Sequence, residues 1–171
     1  MVIRPAAPED HAAIRDVITA AFTAEFGKSD EAGLVDALRA DGDALLELVA
    51  EEDGVVVGHI LFSPLAADTG ARFAALAPLS VQPGRQKDGL GTCLMETAHE
   101  LLRASGIEAV IVLGHPAYYS RVGYSAEAAR PVKAPFAGRS FMALALRPGA
   151  LDRPVAVTYA KAFGIPAGSP P

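Results

Sequence analysis

Helical spacing dominates the first quarter of the chain. From His11 to Phe22 apolar residues recur at every third or fourth position, which predicts an amphipathic helix. The same pattern predicts a second helix that ends near Ala40, with Ser29 or Asp30 as its N-cap. A short apolar run at Val2 to Arg4 precedes both helices and predicts a strand. The chain is therefore expected to begin with one strand and two helices.

Longer apolar runs separated by turns follow, up to residue 81. The segments 45–51 and 55–63 flank an Asp-Gly pair, which favours a hairpin turn. After a second polar turn, the segment 72–81 predicts a third strand, so the three strands should form an antiparallel meander. Pro78 lies inside the third strand. Because proline has no N–H to donate, we expect the ladder to be interrupted there.

Helical spacing returns at Leu90 and continues until Gly106, a typical residue for a helix C-terminus. The apolar face of this helix is predicted to contain Leu90, Leu94, Ala98, Leu101 and Leu102. A strongly apolar strand follows at Glu108 to Leu113. A strand, helix and strand with this length of connection imply a right-handed crossover to a parallel neighbour. The sheet is therefore predicted to be mixed.

Shorter elements complete the chain. A short helix is predicted from Ala117 to Val122, a last clear strand from Phe141 to Leu146, and an additional strand at Val155 to Tyr159. No internal repeat is evident. The order of elements predicts an α/β (α+β) fold in which helices flank a mixed, mostly antiparallel sheet.

Composition narrows the classes of protein. The 171 residues are 51% apolar, but no uninterrupted apolar run approaches the roughly 18 residues of a membrane span. A net charge of −5 argues against general nucleic-acid binding. The N-terminus does not resemble a signal peptide, and the lone Cys93 permits neither an internal disulfide nor a cysteine-based zinc site. We expect a cytoplasmic protein without membrane, nucleic-acid or metal partners.

The loop before the third helix carries the clearest chemical signal. A Walker A loop would require Lys and Ser or Thr after Gly89, but Leu90 and Gly91 stand there. A dinucleotide fingerprint that starts at Gly89 finds Leu94 in its third glycine position. The remaining spacing is QxxGxG, which begins at Gln86. We call residues 86–91 the glycine loop; the cations Arg85 and Lys87 stand beside and within it.

The QxxGxG spacing resembles the coenzyme A loop of the GNAT acyltransferases. Four further segments occur in the order expected for the YhbS-type branch of that family: GHILFSP at 58–64, LAPLSV at 76–81, VLGHPAYYSRVGYS at 112–125 and FMALALRPGAL at 141–151. Many relatives have an additional glycine where this chain has Lys87 or Asp88. The resemblance implies a GNAT domain over residues 1–147 with a splayed parallel strand pair. Residues 148–171 would form a C-terminal extension that packs on or extends the same domain.

The resemblance also implies acetyl-CoA as co-substrate. Backbone groups of Leu79, Ser80 and Val81 would pair with its pantetheine arm. Backbone amides of the loop and helix start, together with one hydroxyl, would hold the pyrophosphate: Gln86, Lys87, Asp88, Gly89, Leu90, Gly91 and Thr92.

Transfer of an acetyl group from a thioester to an amine requires three contributions. The amine must lose a proton, the developing oxyanion needs a donor, and the leaving sulfur needs a proton. The backbone N–H of Val81 is the predicted oxyanion donor. Tyr119, four residues before Gly123, stands where many family members have the tyrosine acid. The alternative role of Tyr119 is packing of the short helix, and Tyr118 is the adjacent candidate acid.

The general base is the gap in this mechanism. No glutamate occurs on the strand at 72–81, where many relatives keep one. His115 follows the parallel strand and could relay a proton through water, or it could be only a turn residue. His59 is either an acceptor contact or a hydrogen-bonded structural histidine. His99, on the third helix, is predicted to lie on the surface.

The acceptor is not defined by the sequence beyond a primary amine on a small molecule or a peptide. The predicted acceptor contacts are Phe26 in the loop after the first helix, His59, and Phe62 at the end of a strand. The proline-rich tail could cover a cleft or bridge the protomers of a homodimer. Two functions therefore remain open: an N-acetyltransferase with direct transfer in a ternary complex, and a non-catalytic CoA-binding sensor or interaction module on the same fold.

Overall fold

The computed structural model describes residues 1–27 and 30–165. Within this part of the chain eight strands occur: β1 (Val2–Pro5), β2 (Leu46–Glu52), β3 (Val55–Ala67), β4 (Arg72–Val81), β5 (Ala109–Leu113), β6 (Val132–Lys133), β7 (Phe141–Ala145) and β8 (Val155–Thr158). The α-helices described there are α1 (His11–Phe26), α2 (Glu31–Ala40), α3 (Leu90–Ala104) and α4 (Pro116–Tyr119). Short 3-10 turns cover Pro8–Asp10, Pro83–Arg85, Ser120–Val122 and Lys161–Phe163.

The strands form a mixed sheet in the order β1-β2-β3-β4-β5-β7, and β8 pairs with β3 and β6. Neighbouring strands are mostly antiparallel, whereas β4 and β5 are parallel from Phe73 opposite Ala109 to Leu76 opposite Val112. The two-residue pairing of β6 with β8 is also parallel. The predicted mixed, mostly antiparallel sheet is confirmed. The parallel register stops before Pro78, where we expected an interruption.

Contacts divide the chain into two compact units. The first contains Met1–Phe62 and Ala77–Ala98, and the second contains Ser63–Leu76 and the chain from His99 onward. The boundaries fall inside β3, β4 and α3, so each of these elements contributes residues to both units. The strand registers given above each lie within one unit.

In the first unit, the start of α3 packs directly on β3 at a glycine. A Cβ atom at Gly58 would lie 2.5 Å from Cδ2 of Leu90 and 3.0 Å from Cδ1 of Leu94, and both leucines are buried. Only glycine permits this approach without displacing the leucines. The predicted apolar faces of the first two helices are also buried, as Ile14, Ile18, Val35 and Leu38 show.

The core of the second unit lies on one face of three neighbouring strands. Its members are alternate residues, such as Phe73 and Ala75 on β4 or Ala109 and Ile111 on β5, because side chains of a strand alternate between two faces. Phe141 and Ala143 continue this face on β7, and Val155 and Val157 of β8 join the same core. The strand predicted at Val155 to Tyr159 is thereby confirmed, apart from its last residue.

Four details of the predicted elements are wrong. α1 continues through Phe26, which is therefore the last residue of a helix and not part of a loop. β3 continues to Ala67, so Phe62 lies inside the strand and not at its end. Leu101 is 44% exposed, whereas Met95 is buried on the apolar face of α3. The two-residue strand β6 was not predicted, because an element this short has no periodicity.

None of the helices among the described residues combines the length and the apolar character needed to cross a bilayer.

We predict that Gly58→Ala destabilises the protein by about 1–3 kcal/mol, because the new methyl group must displace two buried leucines. Chemical denaturation of the variant and the wild-type protein measures this difference. Gly84→Ala is the matched control, since a Cβ at Gly84 would meet no heavy atom within 4 Å. Equal stability of the two variants would contradict the packing argument.

Candidate functional site

The segment between β4 and α3 is folded back onto the end of its own strand. The Gln82 N–H donates to the Val57 carbonyl oxygen at 2.9 Å, which extends the contact of β4 with β3 beyond the last strand residue. The Arg85 N–H then donates to the Gln82 carbonyl oxygen at 2.8 Å. The side-chain amide of Gln86 donates to the Val81 carbonyl oxygen at 3.1 Å. Gln86 therefore ties the glycine loop to the end of β4.

Arg85 connects the segment before the glycine loop to the end of β2 through Glu52. Its Nη2 donates to Oε1 of Glu52 at 2.9 Å, and a second nitrogen pairs with the other carboxylate oxygen of Glu52. Its Nε also lies 3.4 Å from Asp88 Oδ2. The charge of Arg85 is thus matched by protein carboxylates, whereas the Lys87 side chain is exposed. Of the two predicted loop cations, Lys87 is the more exposed one.

The backbone of the glycine loop is set for a turn into α3. Lys87 and Gly89 have φ angles of 71° and 80°, in the left-handed region that favours glycine. The Cys93 N–H donates to the Gly89 carbonyl oxygen at 3.0 Å as the first helical hydrogen bond. The helical hydrogen bonds begin with this one, so the N–H groups of the first three helical residues have no acceptor within the helix: Leu90, Gly91 and Thr92. Together with the helix dipole, these groups favour an anion.

The strand residues before the loop alternate between the core and a more accessible side. Ser80 is buried, and its Oγ has no hydrogen-bond partner among the residues that the structure describes. Leu79 and Val81 are half-buried. The seven predicted phosphate-binding residues and the three predicted pantetheine-binding residues therefore form one continuous strand, loop and helix start in the first unit.

The second unit holds the predicted acid. α4 begins after His115, whose carbonyl oxygen accepts hydrogen bonds from the N–H groups of Tyr118 and Tyr119 at 3.1 and 3.2 Å. The ring of Tyr119 lies against the backbone of Gly114, because a Cβ there would be 2.5 Å from Cε2 of the tyrosine. The His115 side chain is exposed and that of Tyr119 is half-buried. Tyr118 is half-buried too, and burial raises the pKa of its phenol.

The prediction that His99 lies on the surface is wrong. His99 is only 6% exposed, and its Nε2 lies 2.7 Å from the hydroxyl of Tyr124. Burial lowers the pKa of His99 to about 4, and the cation of Arg103 adds to this effect. The spacing Met95, Ala98, His99 and Leu102 is that of a buried helix face, and it could have revealed the burial.

His59 belongs to a buried ionic cluster in the first unit. Its ring is fully enclosed, and Nε2 lies 2.7 Å from Glu47 Oε1. Arg39 binds both oxygens of the same carboxylate, at 2.5 and 3.1 Å. Burial opposes ionisation of Glu47, but the bonds from His59 and Arg39 outweigh it and lower the Glu47 pKa to about 2. Burial lowers the pKa of His59, against the opposing effect of Glu47.

The three predicted acceptor contacts occupy different environments. Phe26 is 59% exposed at the end of α1, where its ring stacks on Phe22 at a centroid distance of 5.8 Å. Phe62 and His59 are both fully buried, and they point to opposite faces of β3 because their positions differ by an odd number. The structure does not bring these three side chains together, and their contact with an acceptor stays a prediction.

A cavity of about 550 Å³ lies in the second unit, and no pattern in the sequence indicates it. Its lining comes from residues 126–138 and Phe141, with the exposed cations Arg130 and Lys133 among several alanines. Small apolar side chains carry no chemical signature, so this lining could not be identified from the sequence. Across the described residues, no group of three or more histidine, cysteine, aspartate or glutamate side chains could hold a metal ion.

Known proteins share both this fold and much of this sequence. The sequence profile of the acetyltransferase (GNAT) family matches residues 11–124. The N-acetyltransferase YjhQ of Escherichia coli, which is described as uncharacterized, is 42% identical over 126 residues. That alignment covers 67% of this chain and 64% of YjhQ, so the chain spans less than two thirds of this relative.

Two solved structures are similar over nearly their whole length. The GNAT family N-acetyltransferase YhbS from Escherichia coli, solved in complex with CoA, has a TM-score of 0.85 and 32% identity, and the match covers 96% of this chain and 92% of YhbS. A GNAT family acetyltransferase from Brucella melitensis, solved with acetyl-CoA, has a TM-score of 0.78 and 38% identity, with coverages of 95% and 97%. The mixed sheet with its flanking helices is thus that of an acetyltransferase fold. The chain belongs to the acetyltransferase (GNAT) family.

The two buried histidines, His59 and His99, make the stability of the protein depend on pH. Both have folded-state pKa values below the ordinary value of 6.5, so below pH 6.5 the unfolded chain binds more protons than the folded one. Their contribution is complete above pH 6.5 and is lost as the pH falls, until about pH 4 for His99. His99 should then reduce the free energy of unfolding by about 1.4 kcal/mol per pH unit between pH 6.5 and about 4, and His59 acts in the same direction.

Denaturant titrations between pH 7 and 5 measure this slope. We expect His99→Gln to make the slope shallower by about 1.4 kcal/mol per pH unit, because the buried imidazole that gains a proton on unfolding is no longer present. An unchanged slope in the variant, or a wild-type stability that does not fall between pH 6.5 and 5, would contradict this prediction.

Proposed function

We propose that this protein is an acetyl-CoA-dependent N-acetyltransferase that moves an acetyl group to a primary amine by direct transfer. The observation that carries the proposal is the glycine loop, whose backbone turns into α3 with three N–H groups that have no helical acceptor. Support comes from the similar structures named above, of which one was solved with CoA and another with acetyl-CoA.

The donor would bind along one continuous segment of the first unit. Leu79, Ser80 and Val81 would pair with the pantetheine arm. The pyrophosphate would be held by the residues from Gln86 to Thr92, with Lys87 as the exposed cation. Arg85 would not bind the phosphates directly, since Glu52 already holds its guanidinium. It would instead keep the loop in the binding conformation.

The chain's own groups would supply the three needs of the reaction. Acetyl-CoA supplies the activated thioester. The amine nitrogen forms a bond to the carbonyl carbon, the Val81 N–H donates to the developing oxyanion, and the carbon–sulfur bond breaks. The leaving sulfur takes the phenolic proton of Tyr119, and the ammonium proton of the tetrahedral intermediate leaves through water toward His115. Exchange with solvent then returns a proton to Tyr119. The acceptor would be a small molecule or a peptide, and the protein would act in the cytoplasm.

A second candidate function is a non-catalytic CoA-binding sensor or interaction module, in which the tail could bridge a homodimer. It is favoured by one observation: β4, from Arg72 to Val81, carries no acidic residue that could act as a base. A panel of amines, monitored by release of free thiol, separates the two functions. Turnover with any amine would exclude the sensor, whereas tight CoA binding without turnover would favour it.

The donor site predicts a specific effect of Gly89→Ala. At the left-handed φ of Gly89, alanine is less favourable than glycine by about 1–2 kcal/mol. Without a ligand the exposed loop can relax and avoid this cost, whereas bound acetyl-CoA would hold the loop in its present conformation. Acetyl-CoA should therefore bind about 5- to 30-fold more weakly, as isothermal titration calorimetry would show.

Gly84→Ala is the control for this experiment, because its φ lies outside the left-handed region and a Cβ would meet no neighbour. It should bind acetyl-CoA like the wild-type protein. The proposed function fails if the wild-type protein binds neither acetyl-CoA nor CoA at millimolar concentration.

The assignment of the acid predicts that Tyr119→Phe lowers kcat by about 100-fold or more while acetyl-CoA binds as before. Tyr118→Phe is the matched control, since it removes a phenol from the adjacent residue of α4. Steady-state kinetics and calorimetry provide both quantities. If Tyr118→Phe lowers kcat and Tyr119→Phe does not, the acid is Tyr118.

A further inference from the structure

Two buried residues of the second unit connect α3 to the predicted acid. Tyr124 follows the 3-10 turn after α4 and is 1% exposed. Its hydroxyl lies 2.7 Å from Nε2 of His99 on α3. Its ring contacts the ring of Tyr119 at a centroid distance of 5.8 Å and an interplanar angle of 80°. The mechanism above uses neither Tyr124 nor His99.

The direction of the hydrogen bond follows from the protonation of both groups. Burial lowers the pKa of His99 to about 4 and raises that of Tyr124 well above 10, so both side chains are neutral at pH 7. Within the described residues the hydroxyl of Tyr124 has His99 as its hydrogen-bond partner. A buried hydroxyl hydrogen needs an acceptor, and His99 Nε2 provides it. Tyr124 is therefore the donor, and Nε2 of His99 carries no proton.

The ring of Tyr119 is held from three sides. One side is the backbone of Gly114. A Cβ atom added at Gly114 would lie 3.1 Å from Cδ2 and 2.5 Å from Cε2 of Tyr119. Tyr124 contacts the ring in an edge arrangement. Tyr118 contacts it in the same manner at 5.1 Å and 87°, and carries the guanidinium of Arg121 on its own ring at 5.6 Å. Only Tyr124 among these neighbours is itself fixed by a buried side-chain hydrogen bond.

We propose that Tyr124 and His99 are positioning residues that fix the orientation of the Tyr119 phenol for proton transfer. This inference rests on the proposed role of Tyr119 as the acid. A buried aromatic ring without its hydrogen bond can shift within its packing space, and Tyr119 shares that space. Because proton transfer requires donor and acceptor within hydrogen-bond distance, a small displacement of the phenol lowers kcat more than it changes substrate binding.

A double-mutant cycle tests the proposal. Tyr124→Phe should lower kcat about tenfold with an unchanged KM for acetyl-CoA. In the Tyr119→Phe background the same change should have almost no further effect, since the phenol that it positions is gone. Tyr159→Phe is the control, because it removes the hydroxyl of a half-buried tyrosine in the same unit and should leave kcat unchanged. An equal loss in both backgrounds would overturn the proposal in favour of a merely structural pair.

Histidine variants provide rescue and a safeguard against poor folding. His99→Gln keeps an acceptor for the Tyr124 hydroxyl and should retain most of the wild-type kcat, whereas His99→Leu removes the acceptor and should reproduce the loss of Tyr124→Phe. Similar kcat values for the two His99 variants, both folded by circular dichroism, would argue against a role of the hydrogen bond.

A readout independent of activity separates this inference from the proposed function. NMR of protein with labelled tyrosine rings and histidine nitrogens should show an unprotonated His99 Nε2 at pH 7, and Tyr124→Phe should shift the Tyr119 ring signals. Unchanged ring signals would refute the positioning role. If the signals shift but Tyr119→Phe retains full activity, the positioning holds and the acid assignment fails.

Discussion

The contact between Gly58 and the start of α3 constrains the predicted donor site more than any other interaction. Because Gly58 has no side chain, Leu90 and Leu94 can lie directly on β3, which places the first turn of α3 at a fixed depth. The glycine loop connects this turn to the end of β4, and the Gln82 bond to Val57 anchors that end to β3 as well. Both ends of the loop are thus fixed to the same strand. Between these fixed ends Lys87 has a left-handed conformation, which costs a non-glycine residue energy.

Arginine side chains of the first unit are paired with carboxylates of the protein itself. Arg85 would be a natural phosphate ligand by sequence, but Glu52 and Asp88 bind it. Arg39 is likewise used to neutralise Glu47, which in turn orients His59. In the proposed donor site the anion would be bound by backbone N–H groups, whose direction the fold fixes at no cost in side-chain entropy. Such a site would not require a positive net charge, and the net charge of this chain is −5.

Most of the helices and strands can be predicted from the sequence, because their hydrophobic patterns are local. The bounds of β4 and the start of α3 agree with the structure, since an uninterrupted apolar run and a glycine-rich break define them. Predictions from the sequence are wrong where contacts between distant residues determine burial or the end of an element. The sequence predicts His99 on the surface, whereas its helical position is that of a core residue and its ring bonds the Tyr124 hydroxyl. The polar residues after Phe26 predict a loop there, whereas the helix continues through Phe26. Ion pairs between distant residues, such as Arg85 with Glu52, leave no signal in a single sequence.

The same physical device recurs in the two units, each considered by itself. In the first unit, a missing Cβ at Gly58 lets a helix approach a strand and so places a row of N–H groups. In the second unit, a missing Cβ at Gly114 lets the Tyr119 ring approach the backbone and so limits where its phenol can point. In each case an added methyl group would have to displace buried or half-buried atoms, so the geometry tolerates only glycine. Both glycines lie in segments by which the chain resembles its family, GHILFSP and VLGHPAYYSRVGYS. Close packing around these two glycines is therefore one feature that both segments encode, beside the side chains of the proposed mechanism.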